Sequence, residues 1–498
     1  MNDKASNEAL NFLHRYFDIF RKVKDTKTKR DLSLSLLFWR LVSKPNHSAQ
    51  DLKRGSEVEQ DAVFDFFSIP RRANFFTFVR NLENQHIAKD IDLALQSIED
   101  SNVEVLCGVF DSLTQFSDSG IGDEAFRNRL AREAITVLSD SVVDSFATYK
   151  NDSFFGLSFF ERAIQVCAEL SHKRSDAFCT SESLSSLVAH IVAPHPGESV
   201  YDPACGSASL LLACAQFTAE KSDGPFAISL NGQEVNAGNW AIAKMNVLTS
   251  NFSTSATLHL GDSIRAPRFL NADGSIKQFD VGVSNIPFSL KDWGADEAQH
   301  DPFGRFQWGV PPKSSGDYAF ISQMLSSLNT NGRMAVIVPN GVLFRAGSEG
   351  KIRKSLIESN LIEAVIGLPA KLLYDTSIPC SVIFFRKNRV ANSVLFVDAS
   401  REFIGGKLQN RLGHEHISKI SSVVNEWQTI PQYSCEVPLE TIFQNDFNLN
   451  ISRYVSMVEE QDESDINALL GKQRRLKTEL DELNEQMDSL IEGLQLRD

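Results

Sequence analysis

The sequence predicts an α/β protein: a doubly wound, Rossmann-like domain preceded by a helical N-terminal domain and followed by a helical tail. Three observations predict it. Up to about residue 170 the apolar residues recur at helical spacing. From about Pro194 short β runs alternate with helices, and the last ~33 residues carry a seven-residue leucine repeat. The divisions this implies are 1–170, 171–460 and 461–498.

In the first division, Leu10, Phe12, Leu13, Tyr16, Phe17 and Phe20 fall on one helical face. Asp31–Val42 is a second, more buried helix, and Asp90–Glu99, Asp123–Val142 and Phe159–Leu170 follow. There is no nucleotide-type glycine loop here, so this part reads as a helical interaction domain. Phenylalanine is over-used, with 35 copies against 7 Tyr and 5 Trp, which predicts a Phe-rich core.

In the second division strands are expected at Ser199–Tyr201, Phe226–Leu230, Ala256–Leu260, Phe279–Val283, Met334–Val338, Glu363–Gly367 and Ser381–Arg386. Helices are expected between them at Ser207–Phe217, Ala237–Leu248, Asp317–Leu328 and Glu349–Ser359. Such alternation builds a mostly parallel sheet with right-handed crossovers, which takes its ligand at the carboxyl ends of the strands. The tail repeats Leu469, Leu476, Leu483 and Leu490, with Gln473, Leu480, Met487 and Leu494 as a second series. That seam suits either a helix packed on its own domain or one that meets an elongated helical partner.

Composition limits the function classes. Met1–Arg21 mixes charges through its apolar positions, and no stretch approaches the roughly 18 apolar residues of a membrane span. The seven cysteines are scattered and never spaced Cys-x-x-Cys, so neither a disulfide framework nor a zinc site is expected and a cytoplasmic protein fits. A net charge of −14 argues against a chain that grips nucleic acid unaided, because phosphate affinity comes mostly from Lys and Arg.

Three segments carry chemistry. In Val200–Ser209 a strand ends, Gly206 allows a tight turn, and a helix begins whose free N–H groups can meet a polar ligand, with Asp202 anchoring the turn. Packing alone would also explain this loop. Glu234 follows the second strand, where nucleotide-like cofactors have their ribose hydroxyls held; a helix-capping acid is the alternative. Asn285-Ile286-Pro287-Phe288 follows the fourth strand. Transfer of a methyl group to an amine needs acceptors that hold the N–H₂, and the Asn285 oxygen with the Ile286 carbonyl can do this. Pro287 restricts the residue before it, and the Phe288 ring can stack on an extruded base.

The string Asp202-Pro-Ala-Cys-Gly-Ser207 followed by Asn285-Ile-Pro-Phe288 resembles the amino-methyltransferases of type I restriction–modification systems, their modification subunits. The likeness continues through Gly316–Phe320, Gly332–Phe344, Ile352–Leu356, Ala364–Pro369 and Asn450–Val455, and the helix Asp31–Val42 resembles the family's Leu-rich N-terminal helix. The resemblance implies a Rossmann-like methyltransferase domain over 171–460. It implies S-adenosyl-L-methionine as cofactor, adenine N6 of double-stranded DNA as target, and specificity and restriction subunits as partners. It places the cofactor's methionine part against Ala177, Phe178, Cys179, Thr180 and Ser181, and against Gly206, Ser207 and Ala208. Glu234 would take the ribose, Asp262 the adenine ring, and Asn285, Ile286, Pro287 and Phe288 the target base. Cys179 stands where the family usually has Phe, Ser181 where it has Pro, Ser209 replaces the second loop glycine, and Ile286 replaces the first Pro of Asn-Pro-Pro-Phe.

Other readings are a scaffold that binds cofactor without methylating, an NAD-type dehydrogenase, and a methyltransferase for protein glutamine or RNA. Asn285, Pro287 and Phe288 count against the first two; the helical half and heptad tail fit a multisubunit DNA complex better than the third. Within Ser289–Ser315, Trp293, Phe303, Arg305, Phe306, Trp308 and Lys313 are expected to form a lid over an extruded base, or a packed surface loop.

Overall fold

The computed structural model describes the chain except for residues 1, 44–66, 81, 145–157, 171–178, 223–227, 251, 253–254, 375–377, 407–408, 456–465 and 496–498. Residues Met1–Val455 form one compact unit and Ser456–Asp498 a second.

The first unit begins with helices Asn2–Asp18 and Thr26–Val42. The second of these is capped by Asp25, whose carboxylate accepts from the Thr28 N–H at 2.7 Å. From Arg30 onward it is buried on all sides, so it lies in the interior rather than on a surface. Several polar groups go in with it, and they are paired: Arg30 with Asp31 (2.8 Å), Trp39 Nε1 donating to the Ala73 carbonyl (2.7 Å), and Arg40 donating to the Leu138 carbonyl (2.9 Å) and to Asp144 (2.6 Å). Phe38 meets Phe67, Phe110 and Phe160 in edge-on or tilted contacts, so the excess phenylalanine does form core. Helices Ile87–Asp100, Glu124–Leu138 and Phe159–Leu170 complete this layer.

Nine strands follow: β1 Ser199–Asp202, β2 Ser229–Glu234, β3 Ala256–Leu260, β4 Phe279–Asn285, β5 Leu328–Pro339, β6 Ile362–Gly367, β7 Cys380–Arg386, β8 Ser393–Asp398 and β9 Ser434–Pro438. Of the strand expected at Phe226–Leu230, residues 226–227 lie outside the described residues. The sheet order is β3-β2-β1-β4-β5-β7-β6-β8-β9. Strands β1 to β5 pair in parallel, as do β6 and β8, whereas β7 runs antiparallel to both neighbours and β9 antiparallel to β8. The sheet is therefore mostly parallel with two reversed strands.

Alternation along β5 shows how both faces are covered. Ala335 and Ile337 join the core that contains the N-terminal helices, while Met334, Val336 and Val338 join a second core on the opposite face. The N-terminal helices and one face of the sheet thus share a single hydrophobic cluster. The order reverses between β1 and β4, and their carboxyl ends leave a crevice there.

The second unit contains one helix, Ile466–Gln495, as the heptad pattern predicts. Leu476, Leu480, Leu483 and Met487 are each more than half exposed on it, whereas the side chains of Leu469, Leu490 and Leu494 lie outside the described residues. Among the described residues no helix is long and apolar enough to cross a membrane.

Candidate active site

A cavity of about 540 Å³ opens at the carboxyl ends of β1, β2, β3 and β4. The first wall is the turn after β1. Asp202 is buried there; its Oδ1 accepts from the Ala204 N–H (2.9 Å) and from the Ser284 hydroxyl on β4 (2.8 Å), which ties the two central strands together. Burial, aided by the nearby Glu234 charge, pushes the Asp202 carboxyl up to about 7.

Gly206 lines the cavity with φ of +53°, a conformation that favours glycine. Ser207 and Ala208 do not line it. The helix starts at Ser209 rather than Ser207, because Ala208 adopts φ of +66° and turns the chain inward first. Ser207 is fully buried, its hydroxyl on that of Ser209 at 2.9 Å. Gly206 and Cys205 form that wall of the cavity.

Glu234 ends β2. Its Oε2 accepts from the Gly206 N–H (2.9 Å) and its Oε1 from the Asn236 N–H (2.7 Å). Burial raises its carboxyl above the ordinary range, and these backbone bonds oppose the rise. It therefore binds the first loop to the second while lining the cavity, and the cap of the following helix is Asn236 rather than Glu234. Asp262 also lines the cavity, but its oxygens already serve Ile264 N–H (2.8 Å), Arg265 N–H (3.0 Å) and the Arg265 guanidinium (3.0 Å).

Asn285 is the last residue of β4, and Ile286, Pro287 and Phe288 continue the wall. The Asn285 Nδ2 donates to the Thr180 hydroxyl at 3.2 Å, and among the described residues its Oδ1 accepts no hydrogen bond. Ile286 is 2% exposed and packs into the second core. The turn beyond is held by Asp317, fully buried, which accepts from the Ser289 N–H (2.6 Å) and from Arg345 (3.0 Å).

Cys179 and Thr180 lie opposite, on the same cavity. Ser181 does not line it; its hydroxyl donates to the Leu372 carbonyl at 3.3 Å, where the family's Pro could not. Ala177 and Phe178 lie outside the described residues. Within Ser289–Ser315, Leu290, Lys291, Asp292 and Trp293 line the cavity, and two of the singled-out side chains are anchored. Trp293 is buried with Nε1 on the Pro312 carbonyl (2.9 Å), and buried Arg305 bonds Asp301 (2.6 Å), Gln323 (2.7 Å) and the Ile264 carbonyl (2.8 Å).

Tyr374, which also lines the cavity, and Asp317 behind the turn were not legible from the sequence, although Asp317 stands in the family-like string Gly316–Phe320 that could have pointed to it.

A carboxamide oxygen on the rim of a carboxylate-lined crevice, at the switch point of a doubly wound sheet, is the layout of enzymes that methylate an exocyclic amine. Comparison with known proteins agrees. Residues 151–463 match N-6 DNA methylases, and the chain belongs to that family. Its curated relatives include methylase subunits of type I restriction enzymes. It is 32% identical over 321 residues to the "Type I restriction enzyme MjaVII methylase subunit" of Methanocaldococcus jannaschii, covering 62% of this chain and 54% of that one. It is 28% identical over 412 residues to the HindI methylase subunit of Haemophilus influenzae, covering 79% of this chain and 90% of that one. Thus it spans about half the length of the first relative and nearly all of the second. Among solved structures, the type I restriction-modification methyltransferase subunit from Streptococcus thermophilus superposes with a TM-score of 0.77 at 26% identity, over 91% of this chain and 99% of that one.

Proposed function

We propose that the chain is the modification subunit of a type I restriction–modification complex, which methylates adenine N6 in double-stranded DNA with S-adenosyl-L-methionine as donor. It works in the cytoplasm with a specificity subunit and a restriction subunit. The observation that carries the reading is Asn285: its amide nitrogen is engaged by Thr180, so its oxygen is left for an amine in the cavity.

The cavity suits this donor. Asp202, Glu234 and Asp262 line it, and carboxylates are the groups that hold ribose hydroxyls and favour a cationic ligand. When bound, the donor supplies an electrophilic methyl group. Glu234 would hold its ribose, Gly206 and Thr180 its amino-acid end, and Asp262, through the lone pair its three hydrogen bonds leave, its adenine ring. Phe288 stacks on a base drawn out of the duplex. Asn285 Oδ1 and the Ile286 carbonyl accept from the two N6 hydrogens, which keeps the nitrogen lone pair directed at the electrophile. Net charge of −14 fits a subunit that shares its DNA grip with a partner.

The test is tritiated methyl transfer to DNA by the chain together with its specificity subunit, followed by chromatography of the nucleosides. Label in N6-methyl-2′-deoxyadenosine is expected. Cofactor binding without transfer would leave a scaffold, and label in cytosine would overturn the base assignment.

A further inference from the structure

The helix Phe159–Leu170 belongs by sequence to the helical N-terminal region, yet it braces two walls of the cavity. Glu161 accepts from Asn246 Nδ2 (3.0 Å), which also donates to the Ser207 carbonyl (2.9 Å) behind the first loop. One turn later, Gln165, 1% exposed, donates through Nε2 to the Thr180 carbonyl (3.1 Å). Its Oε1 accepts from the Tyr374 hydroxyl at 2.6 Å. Thr180, Tyr374 and Asn285 line the cavity, whereas Gln165 stands behind them.

The residue type matters. A carboxamide offers a donor and an acceptor from one planar group, and both are used here. A carboxylate would turn an acceptor on the Thr180 carbonyl, and an apolar side chain would leave two inward polar groups unsatisfied. The Tyr374 hydroxyl, raised by burial, keeps its proton and so needs the acceptor. The Thr180 hydroxyl is a less determinate group, since it can accept from Asn285 Nδ2 or donate to Oδ1. In the second case the Asn285 amide turns over and shows its N–H₂ to the substrate amine. In either case the bond exists only while the Thr180 hydroxyl is held within reach of Asn285.

We infer that Gln165 is a positioning residue for methyl transfer, fixing Thr180 against Tyr374 so that Thr180 keeps the Asn285 oxygen facing the amine. The inference rests on the methyl-transfer reading above.

The experiment compares wild type, Gln165→Met, Thr180→Val and the double variant, each as the complex with specificity subunit and DNA. Gln165→Met is expected to lower kcat by up to about 100-fold, the scale of a misplaced reacting group. Because Thr180 also faces the donor's amino-acid end, donor affinity is measured separately by calorimetry and kcat is read at saturating donor. Because both residues act through one link, the double variant should be no slower than Thr180→Val alone. A wild-type kcat in Gln165→Met, or losses that multiply in the double variant, would overturn the inference. Should Gln165→Met fail to fold, Tyr374→Phe removes the opposing hydroxyl alone; a reduced kcat is expected and an unchanged one decides against Gln165. Wild type that transfers no methyl group overturns the functional reading instead.

Discussion

Asn285 Nδ2 and Thr180 Oγ1 lie 3.2 Å apart, joining the end of β4 to a segment 105 residues earlier in the chain. The cofactor side and the base side of the cavity meet at that contact. Asn285→Ala removes half of the acceptor pair and should slow methyl transfer by about 10²–10³, the usual loss for one polarising group at a reacting centre. Donor affinity by calorimetry should be nearly unchanged. A parallel loss of binding would move Asn285 to the cofactor side.

Glu234→Ala should weaken donor binding by roughly 1.5–3 kcal/mol, the scale of a charge-assisted hydrogen bond. Because Gly206 and Asn236 also lose their acceptor, the melting temperature should fall with it. Titration calorimetry alongside thermal melts separates the two effects. Full affinity in a destabilised variant would leave Glu234 with only its loop-bridging role.

The third prediction concerns pH. Asp202 has an ordinary carboxyl value of 3.8 and is pushed up to about 7 by burial, so the folded state binds its proton more tightly than the unfolded chain does. Its contribution to stability is complete below the unfolded value and is lost as pH rises through about 7. Asp202→Asn keeps the oxygen that accepts from Ala204 and Ser284 but cannot titrate. Its melting temperature should therefore fall less than that of wild type as pH is raised over this window. Glu182, also pushed up to about 7, leaves a residual slope in both. Melting curves that stay parallel across the window exclude Asp202 as a source.

Ile286→Pro would restore the family's usual residue next to Asn285, which already lies in extended backbone that tolerates a following proline. The Ile286 side chain is buried, so the change costs packing of about 1–2 kcal/mol. The expected result is a lower melting temperature with methyl transfer kept or raised. Loss of transfer in a folded variant would show that the Ile286 carbonyl needs the isoleucine.

Deleting Ser464–Asp498 removes the helix whose Leu476, Leu480, Leu483 and Met487 stand exposed. Size-exclusion chromatography with the specificity subunit should then show a weakened complex. An undiminished one would assign that apolar face elsewhere.

Much of the site was legible because its residues end strands. Asp202, Glu234 and Asn285 each follow or close an apolar run, and the strand–helix rhythm alone places such positions at one edge of the sheet. The reversed direction of β7 was not legible, since Cys380–Arg386 reads as the same apolar run in either polarity. Strands β8 and β9, no shorter than β1 and β3, were not legible because they lie at the sheet's far side, next to loop-like sequence and outside the strand–helix rhythm. The helix start at Ser209 rather than Ser207 was not legible for a local reason: nothing in an alanine announces a left-handed turn before a helix. The buried packing of Arg305 depends on Asp301, Gln323 and a distant carbonyl, contacts that only the tertiary structure brings together.

The Arg30 guanidinium, on the helix Thr26–Val42, donates to Asn239 Oδ1 at 2.8 Å, and Asn239 lines the cavity. With Gln165 on Thr180 and a core common to the first helices and the sheet, this bears on how such genes can recombine. A crossover near residue 170 would give the two halves of each contact to different parents. Chimaeras of that kind should inherit a working centre only when both parents agree at Arg30, Gln165 and their counterparts, so natural mosaics would be expected to exchange the centre and its bracing helices as one block.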